Sequence, residues 1–274
     1  MSIRRFVGLS VDVEEWFHGL TSTSREPGSW SAWPSRVDEA TDRVLDLFAD
    51  AKVHATFFIL GLVCQEHPQV VSKIAAAGHE IACHGFDHRL VTGLKPACFE
   101  DDCRRAKDIL EETSGQPVVG YRAPAFSLNH DMTWALDTLL RVGFVYDASL
   151  MPFRTPLGGE RAVPGRQTYR TGSGTLTRFP VATANLGRLR WPVGGGFFVR
   201  VTPLRLLPAL LSAVPEGSCF YLHPWEIDDP HPVVFANARE HLSHYAGLRS
   251  AARKWRLILG IRELCFRPLR EFLG

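Results

Sequence analysis

VHATFFIL, residues 53–60, is a continuous apolar run of β-branched and aromatic residues. Such a run fits a strand buried on both faces, as in a parallel sheet covered by helices. Its surroundings repeat the theme. Residues 5–13 (RFVGLSVDV) form a second apolar strand pattern, and HEIAC (79–83) a third. Between them, Val37, Val44 and Phe48 mark a helix over 36–50 with Ser35 as its cap. A further helix over 68–77 stops at Gly78. A helix over 98–113 ends before Gly115, with Cys103 on a buried stripe beside Phe99, Ala106 and Leu110. A strand at 118–121, a helix at 131–142 stopped by Gly143 and a strand at 144–147 follow. This βαβα series predicts a distorted (β/α) barrel, parallel strands ringed by helices.

The second half has a weaker pattern. Residues 150–175, with Pro152, Pro156 and Pro164, read as a long excursion. Strands are expected near 176–181 and 193–199, then a helix over 203–214 capped by Thr202 and bent at Pro208. SCFYLH (218–223) reads as the last clear strand. From Ala236 the chain is Arg-rich and predicted helical, packed on the outside of the barrel. The expected division is a barrel over 1–235 and a helical extension over 236–274.

Composition narrows the partners. A net charge of +2 over 274 residues gives no electrostatic reason for nucleic acid or anionic lipid. The six cysteines form no CxxC pair, so neither a zinc knuckle nor a disulfide scaffold is indicated. The apolar run after Arg4 and Arg5 is broken at Asp12, too short for a secretion signal, and no stretch is long enough to span a bilayer. The expectation is a cytoplasmic protein.

Three polar clusters sit at predicted strand C-termini, where barrels of this class build active sites. Asp12 and Glu14 share one strand face, and two converging carboxylates call for a cation or a proton between them; the plainer alternative is a solvated acidic turn. His84 and His88, four residues apart, can offer two nitrogens to one metal, as on zinc hydrolase helices. With one carboxylate they leave an open position for water. His223, in YLHPWE, suits a general acid with Trp225 as a flat face for a sugar ring, or simply a histidine tied into a strand-end turn.

The ordered series SVDVEEWFH (10–18), ATFFILG (55–61), GHEIACHGFDH (78–88), YRAPAFS (121–127), YDASL (146–150) and YLHPWE (221–226) resembles the polysaccharide deacetylase family. That family is also known as the NodB-homology group or carbohydrate esterase family 4. HLSHYAGLRSAARKW (241–255) and IRELCFRPLREFL (261–273) resemble the C-terminal extension of its exopolysaccharide-cluster branch. The resemblance implies a metal-dependent N-deacetylase acting on an N-acetylated saccharide. It makes Asp12 the base, Arg122 the group orienting it, His223 the acid, and His84 and His88 metal ligands. Where the family has a second Asp, this chain has Val13; Glu14, on the same face as Asp12, is the nearest substitute, which leaves open which carboxylate ligates. Zinc suits such a donor set, with cobalt or nickel able to replace it. A backbone N–H near Tyr121 is expected to aid the oxyanion. Tyr121, Phe126, Trp225 and the Gly194–Phe198 segment are expected pocket walls. A cyclic amide hydrolase on the same barrel and a silent carbohydrate-binding protein are the competing readings.

Overall fold

The computed structural model describes residues 4–19, 27–129, 131–153, 165–187, 189–228, 230–234 and 237–273. The first half alternates as expected. β1 (Arg5–Val13) leads to α1 (Val37–Ala51), β2 (Thr56–Ile59), α2 (Gly61–Glu66), α3 (Pro68–Ala76) and β3 (Glu80–Cys83). Then come α4 (Pro96–Ser114), β4 (Gly120–Tyr121), α5 (Thr133–Val142) and β5 (Tyr146–Leu150). These strands pair in parallel in chain order. Alternation in β2 explains the unbroken apolar run. Phe57 and Ile59 pack with the helix-facing core, whereas Phe58 points into the barrel beside Ala82, Tyr146, Ala148 and Phe179.

Ser35 does not cap α1. Its hydroxyl donates to Glu15 Oε1, and the Glu15 carboxylate itself receives the N–H groups of Arg36 and Val37 at 3.1 and 3.2 Å. An anion at a helix N-terminus satisfies donors that have no intrahelical partner, and it fixes the chain leaving β1.

The second half departs further from expectation. Residues 154–164 of the expected excursion lie outside the described residues. The rest of it adds β6 (Gln167–Thr171), antiparallel to β7 (Gly174–Pro180), which is the strand expected near 176–181 and runs parallel to β5. β8 (Thr183–Leu186) and β9 (Leu189–Pro192) form a separate two-stranded ribbon. The strand expected over 193–199 is instead a single bridge, Gly195 to Tyr221, followed by α6 (Gly196–Val201). A Cβ on Gly195 would lie 1.8 Å from the Tyr221 carbonyl oxygen, so only glycine allows this approach. Thr202 closes α6 by donating to the Phe198 carbonyl, rather than opening the next helix. Pro208 starts the short α7 (Leu207–Ser212) instead of bending a longer one.

β10 (Cys219–Leu222) pairs with β1, and bridges from Val181 and Gly195 to β10 bring the curled sheet round to a ring. The tail holds α8 (Ala238–Tyr245) and α9 (Leu248–Leu259), but also β11 (Leu264–Arg267), which pairs in parallel with the first residues of β1. Leu269 then enters the barrel interior with Phe58 and Tyr146, and its N–H bonds Thr56 Oγ1 at 2.7 Å. The tail is therefore not merely an outer layer. It plugs the barrel's lower end, and burial of Leu269 contributes about 1.5–3 kcal/mol.

Candidate active site

The C-terminal ends of β1, β3, β4 and β10 deliver the six polar residues singled out from the sequence. Asp12 is the penultimate residue of β1 and points inward. Arg122, just past β4 and fully buried, donates to Asp12 Oδ1 at 2.6 Å, to Ser10 Oγ at 2.8 Å and to the Ala148 carbonyl at 3.0 Å. Its guanidinium lies 4.2 Å from the Phe58 ring centroid. A planar fork fixed at several points holds a carboxylate in one orientation, and Asp12 Oδ2 is left facing His223.

Glu14 takes a different set of neighbours. One atom each from Glu14, His84 and His88 lies within 4.8 Å of the others. His84 Nδ1 is 2.8 Å from the Arg122 carbonyl, which can only accept, so Nδ1 carries the proton and Nε2 keeps its lone pair. Burial pushes His84 down to about 4, keeping the ring neutral. Burial would raise the Glu14 carboxyl, but His88 and His223 outweigh it and hold it well below the usual carboxylate range. His88 Nε2 lies 2.7 Å from Glu14 Oε2, yet that oxygen has no well-directed hydrogen bond. Two donor atoms close together without a bond between them fit shared ligation of one cation.

The histidine pair is carried by a loop, not a helical turn. Gly85 and His88 both have positive φ (79° and 59°). The loop is tied down by Gly61 N–H to the Gly85 carbonyl, Leu62 N–H to the Phe86 carbonyl, and Phe86 N–H to Asp102 Oδ2.

His223 lies on the far side of the carboxylates, its Nε2 3.5 Å from Glu14 Oε1 and 4.0 Å from Asp12 Oδ2. Nδ1 meets Glu226 Oε1 at 2.8 Å. Burial opposes a charged imidazole, but Glu14, Glu226 and Asp12 together raise His223 to about 9. Asp12, Glu14, His84, His88 and His223 line a cavity of 280 Å³ with Ala125, Phe126, Phe198, Tyr221 and Trp225.

Of the expected wall residues, Tyr121 is absent from the wall, whereas Trp225 keeps its place there without a free face. The Tyr121 side chain is turned away from the cavity and packs on Phe99 and Phe144, because it alternates with inward-facing Arg122. Ala125, with φ 50°, is the residue of that segment on the cavity wall beside Phe126. Trp225 is 8% exposed, and its ring lies parallel to His223 (5.0 Å) and His244 (4.2 Å), with its Nε1–H 3.4 Å from Glu14 Oε1. Its flat face is covered, so it supports His223 rather than offering a platform. Phe126 and Phe198 do line the cavity.

Sequence reasoning missed Glu226, whose i+3 spacing from His223 was the available signal. It also missed buried His18, which accepts the Glu15 N–H at Nδ1 and stacks 6.1 Å from His88. His244, on α8, gave no local signal at all.

Residues 30–141 match the polysaccharide deacetylase family, and residues 148–274 match a domain of unknown function, DUF3473. A peptidoglycan deacetylase of Helicobacter pylori is 29% identical over 53% of this chain and 48% of its own. A chitooligosaccharide deacetylase of Rhizobium leguminosarum bv. trifolii is 32% identical over 37% of this chain and 44% of its own. The chain thus spans less than half the length of these curated relatives. A crystal structure of a proposed polysaccharide deacetylase from Mycobacterium smegmatis superposes with a TM-score of 0.66 at 21% identity, covering 99% of this chain and 90% of that one. A family 4 carbohydrate esterase from Streptomyces lividans gives 0.55 at 14% identity, over 96% and 92%. The six motifs in order, the parallel barrel and these matches agree on a polysaccharide deacetylase domain over residues 30–141.

Proposed function

We propose that the protein is a metal-dependent N-deacetylase that hydrolyses the acetamido group of an N-acetylated amino sugar, releasing acetate and a free amine. The observation that carries this reading is the split between two carboxylates on one strand face. Asp12 is held by Arg122, whereas Glu14 stands among His84 and His88. That split supports Glu14, His84 and His88 as ligands of one divalent ion, zinc by preference, with cobalt or nickel as substitutes. The ion, when bound, polarises the acetyl carbonyl and acidifies water.

The chain's own groups do the rest. Asp12 Oδ2 takes a proton from the attacking water while Arg122 keeps Oδ1 in place. As the water oxygen bonds to the carbonyl carbon and the C–N bond breaks, His223 Nε2 gives a proton to the departing nitrogen. Glu226, at Nδ1, holds that ring in register. The N–H of Ala125, a residue on the cavity wall, is suited to the developing oxyanion. The likeness of residues 241–273 to the exopolysaccharide-cluster branch supports a sugar repeat unit or its carrier-linked form as substrate. A cytoplasmic setting remains part of this reading; no helix among the described residues is long and apolar enough to cross a membrane.

Metal analysis combined with an acetate-release assay on N-acetylglucosamine oligomers tests the proposal. About one divalent ion per chain and acetate released in step with free amine are expected. Metal-loaded protein that releases no acetate from any N-acetylated saccharide would reject it.

A further inference from the structure

The tail that plugs the lower end of the barrel also reaches the upper end. Glu240, Ser243 and His244, all on α8, line the cavity that holds Asp12 and Glu14. His244 is 5% exposed, and its Nε2 is buried with no hydrogen-bond partner. A buried nitrogen left unsatisfied is unfavourable, so its place on a cavity wall asks for a partner from outside the protein.

The position of α8 is fixed by the barrel itself. Arg200, on α6, donates to the carbonyls of Ser243 (2.7 Å), His244 and Ala246 (2.9 Å). Its own carbonyl accepts from Lys254 on α9. Gly247 has φ 78°, and a Cβ there would meet the Arg200 carbonyl oxygen at 2.2 Å, so the turn between α8 and α9 needs glycine to press this close. Arg200 Nε also lies 3.9 Å from Glu226 Oε2, and Glu226 bonds His223. The tail is thus docked on the same framework that holds the proposed acid.

We propose that α8 is a substrate-binding wall and that His244 is a specificity-determining residue, its ring hydrogen-bonding a hydroxyl of an uncharged sugar. This rests on the N-deacetylase reading above. Burial, with His231 and Arg200 nearby, keeps the His244 imidazole neutral, so it offers one donor and one acceptor, the pair a hydroxyl can meet. The Glu240 carboxylate on the same wall disfavours sugars that carry a carboxylate or phosphate near this point.

The test compares His244→Phe with the wild type on N-acetylglucosamine oligomers of one to four units and on phenyl acetate. Phenylalanine keeps the stack on Trp225 and removes the nitrogens. The saccharide KM is expected to rise about tenfold or more with kcat changed far less. The effect on phenyl acetate, which carries no sugar hydroxyl, should be much smaller, and His244→Gln should recover part of the KM. An unchanged saccharide KM, or equal losses on both substrates, overturns the inference. Should His244→Phe fail to fold, Glu240→Gln reads the same wall. It should raise kcat/KM for an N-acetylated sugar bearing a carboxylate relative to the unsubstituted sugar, and an unchanged ratio overturns the inference. A wild type inactive on every saccharide defeats the underlying deacetylase reading, whereas an active wild type with an indifferent wall defeats this inference alone.

Discussion

Arg122 Nη1 and Asp12 Oδ1 stand 2.6 Å apart, with the two side chains 0% and 2% exposed. Glu14, two residues on, has no arginine and faces His88 and His223 instead. Identical chemistry at two positions on one strand is thereby given two environments. Asp12→Asn keeps the shape and an acceptor for Arg122, so metal content should be retained while turnover falls by about a hundredfold or more. Glu14→Gln should lose metal affinity. Metal contents in the opposite order would show that the carboxylates exchange roles.

His84→Ala and His88→Ala should each abolish metal retention and activity while far-UV circular dichroism shows the fold intact. The expectation of an intact fold follows from their position past the end of β3, outside the sheet's hydrogen bonds. Full metal occupancy in both variants would remove the site from its proposed place.

Beneath the histidine loop, Asp102 gives a pH-dependent signature of its own. Burial raises its carboxyl from 3.8 to about 6, against the pull of Phe86 N–H and Arg89. Between those values the folded chain holds a proton that the unfolded chain releases, so this group's contribution is fully present below about pH 4 and is lost as pH rises through 6. Relative to Asp102→Asn, the wild type should therefore gain stability as pH falls from about 6.5 to 4, by up to about 3 kcal/mol. Urea unfolding of both proteins across that range checks the sign. A difference that stays flat or reverses means Asp102 is ionised throughout.

The first half of the fold was legible because its strands are apolar and α3, α4 and α5 each stop at a glycine, although the short α2 was not anticipated. Gly115 and Gly143, both left-handed, close α4 and α5 where the pattern ends. The polar groups of the candidate site were legible because they sit on strand ends that the pattern already located. The second half was harder. Phe197 and Phe198 have strand-like composition, but the approach of Gly195 to Tyr221 ends pairing after one bridge. β11 pairs with β1 across some 260 positions, and Leu269 fills the interior of a barrel built by other segments. Such contacts leave no local periodicity. His244 is the extreme case, since only the docking of α8 on Arg200 brings it to the cavity.

The sharpest separation of roles concerns His223. If it protonates the departing nitrogen, His223→Ala should slow amide cleavage by about a hundredfold or more. An activated ester needs little protonation of its leaving group, so phenyl acetate should escape much of that loss. The amide-to-ester difference isolates proton delivery from metal binding and from Asp12. Glu226→Gln provides a milder version. It keeps a hydrogen-bond acceptor toward Nδ1 but removes the negative charge, so it should show the same selectivity with a smaller amplitude. A merely structural histidine, tied to Glu226 at the end of β10, predicts lower melting temperature and equal losses on both substrates. Equal losses in His223→Ala, with metal content and melting temperature unchanged, would take His223 out of the proton pathway and leave solvent as the acid.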